Sequence, residues 1–160
     1  MNNIVLIGFM GSGKGTIGRL LAQKTERFFL DTDALIEDYA RKSISEIFAN
    51  EGEEAFRKAE RFLAAWIAKS VDNAVLAAGG GLPIVCDNLR EIGEVIYLKC
   101  DFETIAARLS SQSERAKRPL AGSTDSLRKL FILREPIYAK IADRTIDATQ
   151  NINAVVKAIL

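Results

Sequence analysis

Short apolar runs alternate along the chain with longer stretches in which apolar residues return every three or four positions. The runs near residues 3–7, 28–30, 74–77, 95–98 and 145–147 are too short for helices and read as five strands. Between them, Phe56, Ala59, Phe62, Leu63, Trp66 and Ile67 recur at helical spacing, which predicts an amphipathic helix over Glu53–Ser70 with Gly52 at its start. Ser43 and Glu46 have the spacing of a capping box and open a short helix carrying Ile44, Ile47 and Phe48. After Asn151, a plausible N-cap, Ile152, Val155, Val156 and Ile159 fall on one face of a last helix. Strands alternating with helices predict a parallel sheet covered on both sides, a three-layer α/β/α domain. The one long polar stretch, residues 110–126, interrupts this pattern and reads as a loop or lid.

Composition narrows the chemistry. The length of 160 residues fits one domain, 48% hydrophobic and 27% charged residues are ordinary for a soluble protein, and no apolar run approaches a membrane span. The first residues run straight into an apolar segment without a basic leader, so the cytoplasm is the expected compartment. Twenty-two basic residues against twenty-one acidic ones leave a charge of +1, which argues against nucleic acid as the main partner. The chain has no histidine, so acid–base work must come from carboxylates and any metal from the oxygen-loving class. Cys86 and Cys100 fit no metal or redox spacing and read as free thiols.

The first strand runs into Gly8-Phe9-Met10-Gly11-Ser12-Gly13-Lys14, and a helix with Ile17, Leu20 and Leu21 on one face follows. Glycines let the backbone close around phosphate, the helix N-terminus adds partial positive charge, and Lys14 reaches the β- and γ-phosphates. The residue after the lysine, where a hydroxyl ordinarily ligates Mg²⁺, is Gly15. Thr16 follows, turned about 100° away from that position by the helix.

Three further elements sit at strand ends or on helices. Asp31-Thr32-Asp33 follows the second strand; in extended chain both carboxylates leave on one side, suited to a metal and an acceptor hydroxyl, although a single Asp could equally cap the helix that begins with Ala34. Gly79-Gly80-Gly81 ends the third strand, where a backbone without side chains lets a ligand approach closely. Arg134 lies on an otherwise apolar stripe with Leu127, Leu130, Phe131 and Tyr138, where a guanidinium wants an anion, and Pro136 is expected to kink or interrupt that helix. Arg57, beside Phe56, and Arg118, in Arg118-Pro119-Leu120, are the other arginine candidates.

Taken in order, the phosphate loop, Asp31-Thr32-Asp33, Phe56-Arg57 with Glu60, the triple glycine, Arg118-Pro119-Leu120, and Arg134 with Tyr138 resemble shikimate kinases over almost the whole chain. The resemblance implies a single kinase domain over residues 1–160 with a P-loop fold like that of nucleoside-monophosphate kinases. It also implies a phosphate loop at 8–16, an acceptor-binding segment at about 33–61 and a mobile lid at about 110–125. The implied reaction is transfer of the γ-phosphate of ATP to the 3-hydroxyl of shikimate, with Mg²⁺, by a cytoplasmic monomer that has no nucleic-acid or membrane partner.

The resemblance further implies that Gly11, Ser12, Gly13, Lys14, Gly15 and Thr16 hold the nucleotide and that Arg108 lies against the adenine. Asp33, Arg57, Gly79, Gly80, Gly81 and Arg134 would hold shikimate, the arginines on its carboxylate and Asp33 on the reacting hydroxyl. Lys14 and Arg118 would stabilise the transferring phosphoryl group, and Asp31 would sit near Mg²⁺ through water. Ala78 and Gly15 depart from the family pattern. Two other readings are weaker: a nucleoside-monophosphate acceptor, because Lys14-Gly15-Thr16 also looks like the loop of adenylate kinases, is disfavoured by Asp31, Asp33 and the triple glycine, and a nucleotide-binding regulator with little catalysis is disfavoured by Asp33, Arg118 and Arg134.

Overall fold

The computed structural model describes residues 2–110 and 122–160. Strands β1 (Asn3–Ile7), β2 (Phe28–Asp31), β3 (Ala74–Ala77), β4 (Gly93–Lys99) and β5 (Arg144–Asp147) form, among the described residues, one parallel sheet in the order β2-β3-β1-β4-β5. Side chains alternate along each strand, and this separates two cores. Val5, Ile7, Val95 and Tyr97 face one layer, which holds helices α4 (Glu53–Ser70), α5 (Leu82–Val85), α6 (Leu89–Ile92), α7 (Phe102–Arg108) and α8 (Thr124–Ile141). Leu6, Ile96 and Leu98 face the other, where α1 (Lys14–Lys24) and α9 (Ile152–Ile159) contribute Ile17, Leu21, Val155 and Val156.

Helices α2 (Thr32–Ala40) and α3 (Ile44–Glu51) project beyond the sheet and share a small separate core with α4, made of Ile36, Ile47 and Phe56. Ser43 caps α3 with the full reciprocal pair to Glu46, as its spacing predicts.

The strand order reverses beside β1, which lies between β3 and β4. In open parallel sheets the crevice outside the carboxyl ends at such a point is the natural ligand site. The phosphate loop leaves β1, Asp31 ends β2, and the triple glycine follows β3, so all three converge there.

Two expectations need correction. Helix α8 runs through Pro136 without a break. The carbonyl that a proline leaves without its helical partner belongs here to Ile132, and both residues lie on the exposed side, where water can satisfy it. Asp31 and Asp33 do not share an extended segment either. The Asp31 carboxylate accepts from the backbone N–H groups of Asp33 and Ala34 and turns the chain into α2, so Asp33 stands in the first helical turn. The proposed lid, and Arg118 within it, lie largely outside the described residues. No helix among the described residues is long and apolar enough to cross a membrane.

Candidate active site

The phosphate loop closes over the end of β1. Gly11 (φ +80°) and Gly13 (φ +92°) occupy left-handed backbone that side chains disfavour. Lys14 Nζ curls back over the loop and donates to the carbonyls of Gly8 (2.8 Å) and Phe9 (3.0 Å). Gly11, Gly13, Lys14, Gly15 and Thr16 line a cavity of about 480 Å³ whose far wall carries Asp31, Asp33, Gly79 and Gly80. Ser12 does not line it: the residue is buried and its N–H donates to Phe9 O. Arg108 reaches the rim, donating to Gly11 O (3.1 Å) and Ala148 O (3.2 Å), which ties the loop to the segment after β5.

The triple glycine is held at both ends of its turn. Gly79 N–H donates to the buried Thr32 hydroxyl at 2.8 Å, and Tyr138 Oη donates to Gly80 O at 2.6 Å. Burial raises the Tyr138 hydroxyl to about 12, so it keeps this proton. None of the three glycines has the positive φ that would demand glycine for its backbone; what they supply is room. A Cβ on Gly79 would overlap the Asp33 carboxylate, and one on Gly81 would overlap the Arg57 guanidinium. Gly80 lies between them, with Arg134 Nη1 3.5 Å from where its Cβ would be, an ordinary contact distance. Thus the turn gathers Asp33, Arg134 and Arg57 against three consecutive residues. Asp33 lines the phosphate cavity, whereas Arg57 and Arg134 line a second cavity of about 530 Å³.

Arg57 is only 7% exposed and is bound by two carboxylates of its own helix: Nη1 donates to Glu60 Oε2 at 2.6 Å, and Nε and Nη2 donate to Glu53 Oε1 at 3.2 and 2.9 Å. Burial works against the guanidinium charge, but Glu60 and Glu53 more than restore it and raise the Arg57 pKa. Glu60 is 1% exposed. Burial pushes its carboxyl up to about 7 against the pull of Arg57, and the nearby Asp33 charge adds to the rise.

A family model described as shikimate kinase matches residues 10–160. The chain belongs to the shikimate kinase family. A shikimate kinase of Helicobacter hepaticus is 49% identical over 140 residues, covering 88% of this chain and 83% of that protein. The solved shikimate kinase from Acinetobacter baumannii in complex with shikimate superposes with a TM-score of 0.88 at 34% identity, covering 99% of this chain and 90% of that one. A gluconokinase from Sinorhizobium meliloti has a TM-score of 0.65 at 19% identity over 98% of this chain and 87% of its own, and shares the fold alone.

Sequence reading of this shikimate kinase family member passed over Thr32 and Glu53. Thr32 is hidden between two aspartates, and nothing local marks its hydroxyl as the acceptor for Gly79. Glu53 did carry a signal, the i,i+4 spacing to Arg57 that puts opposite charges on one helix face.

The buried Glu60 makes stability depend on pH. Its carboxyl titrates near 4.5 in the unfolded chain and near 7 in the fold, so between these values the folded state holds the extra proton. Its contribution to stability is therefore full at low pH and is lost as pH rises through that window. The unfolding free energy of the wild type minus that of Glu60→Gln is expected to fall from about pH 4.5 to about pH 7 and to level off above, measured by urea unfolding. A difference independent of pH across the window would show that Glu60 stays ionised in the fold.

Proposed function

We propose that this chain transfers the γ-phosphate of ATP to the 3-hydroxyl of shikimate. The observation that carries this reading is the gathering of one carboxylate and two guanidinium groups on the glycine turn beside the phosphate loop. Phosphoryl transfer asks mainly for positioning and charge neutralisation. The loop amides and the N-terminus of α1 are suited to phosphate oxygens, with Lys14 Nζ moving from its loop carbonyls onto them. An acceptor lying across Gly79-Gly80-Gly81 would present its hydroxyl to Asp33 and its carboxylate to Arg57 and Arg134. Asp33 then accepts the proton of the attacking hydroxyl, and the planar forks of the arginines fix the acid in register. Arg118 is assigned to the transferring phosphoryl group by the family resemblance only. A nucleoside-monophosphate acceptor is disfavoured, because the paired arginines and Asp33 suit a hydroxylated acid.

The donor set is compatible with Mg²⁺. Asp31 and Asp33 put two carboxylates in the cavity that the phosphate loop lines, and Mg²⁺ typically takes one or two carboxylates together with phosphate oxygens and water. When bound, the ion neutralises phosphate charge. Asp31 would hold it through water, because its Oδ1 caps α2. Position 15 offers no hydroxyl, yet a side chain fits there: the backbone is helical, and the nearest atom to an added Cβ is Arg19 Nη1 at 3.1 Å, the end of a flexible chain.

Two experiments follow. In a coupled ADP-release assay shikimate is expected to support turnover and AMP not, and Asp33→Asn should cost about 10²–10⁴-fold in kcat while ATP affinity stays within about twofold. Turnover near wild type in that variant would remove Asp33 from the chemistry. For Gly15→Ser, a tighter Mn²⁺ dissociation constant is expected in the ADP-loaded protein, together with a lower Mg²⁺ requirement for activity. Superimposable titrations would show that the metal does not depend on position 15.

A further inference from the structure

Three of the five N–H groups of Arg57 are committed while both of its carboxylates stay in place, including the whole Nε/Nη2 edge. Its Nη1 is taken by Glu60 and its Nε and Nη2 by a single oxygen of Glu53. The two partners differ in how firmly they are held. The Glu60 side chain is 1% exposed and the Glu53 side chain 53%. Glu60 cannot leave without stranding a charge in the interior, which is costly, whereas Glu53 can swing into water from the first turn of α4 at small cost. The Nε/Nη2 edge that Glu53 occupies is also one of the edges of a guanidinium that takes a carboxylate through two parallel bonds. Glu53, Arg57 and Arg134 line the same cavity, walled on its other sides by Val85, Leu130 and Ile137.

The geometry points to Glu53 as an internal stand-in for the acceptor's carboxylate, one that occupies Arg57 until the acceptor displaces it. This rests on the reading above, in which Arg57 and Arg134 bind that carboxylate. Two consequences separate it from a purely structural ion pair. An acceptor carboxylate that takes the Nε/Nη2 edge breaks the Glu53–Arg57 contact, so Glu53 weakens acceptor affinity. A hydroxylated ring without an anionic group gains nothing by displacing Glu53, so the residue sharpens the preference for acids over neutral analogues.

The test uses isothermal titration and steady-state kinetics with shikimate and with its neutral carboxamide, on the wild type, Glu53→Gln and Arg57→Lys. Glu53→Gln is expected to lower both Kd and KM for shikimate by about two- to fivefold, the range of an exposed ion pair, with kcat changed by less than about twofold. The Kd of the carboxamide should not move. Glu53→Asp, one methylene shorter, serves as a second variant and should shift shikimate binding in the same direction. If Arg57→Lys weakens shikimate binding but Glu53→Gln leaves it unchanged or weakens it too, Glu53 merely orients Arg57 and the inference is overturned. If Arg57→Lys leaves shikimate binding unchanged, the placement of Arg57 at the acceptor carboxylate fails, and the inference fails with it.

Discussion

The site depends on missing side-chain volume at one place, the carboxyl end of β3. Gly81 has φ −90° and ψ −20°, a conformation any residue adopts, and neither Gly79 nor Gly80 has positive φ. These glycines are therefore required by space and not by backbone freedom. The carboxylate of Asp33 fills the place of a Cβ at Gly79 and the guanidinium of Arg57 the place of one at Gly81, each arriving from a different helix. Thr32 and Tyr138 fasten the same turn from α2 and α8. Three helices are thus registered against one loop, and the loop is registered against β1 through the sheet.

That arrangement fixes what the rest of the chain must do. The small core of Ile36, Ile47 and Phe56 holds α2, α3 and α4 as a unit beyond the sheet, so Asp33 and Arg57 are positioned together. Arg57 is buried and is balanced by Glu60 inside and Glu53 outside. Burying such a cluster is not a strong source of stability, because desolvation offsets much of the attraction. Its structural effect is to hold a charged fork at a defined place against the glycine turn.

Much of this was legible in the sequence, for identifiable reasons. The five strands were visible because their apolar runs are short and separated by helical periodicity, and Glu53–Ser70 was visible because its stripe is long. The short helices α5 and α6 span one turn each and carry no period to detect. Pro136 does not interrupt α8, because the cost of an interior proline depends on whether the freed carbonyl faces solvent, which local sequence does not encode. The triple glycine reads as a place where a ligand comes close; that the protein's own Asp33 and Arg57 occupy the space depends on contacts between residues far apart in the chain, Gly79 with Asp33 and Gly81 with Arg57. Asn3 escaped notice for a similar reason. It reads as the first residue of a strand, yet its buried side chain donates to Val71 O and Ile92 O and accepts from Ala74 N–H, tying the starts of β1, β3 and β4 together.

The most direct test of the account is a steady-state comparison of Gly81→Ala with the wild type, varying shikimate and ATP separately. An added methyl is tolerated by the backbone, and the three atoms nearest to it would all belong to Arg57. The account predicts a rise of about tenfold or more in KM for shikimate, with KM for ATP within about twofold, because the proposed role of the displaced group is on the acceptor side alone. Unchanged kinetics, or an equal loss for both substrates, would contradict the claim that this glycine exists to make room for the arginine.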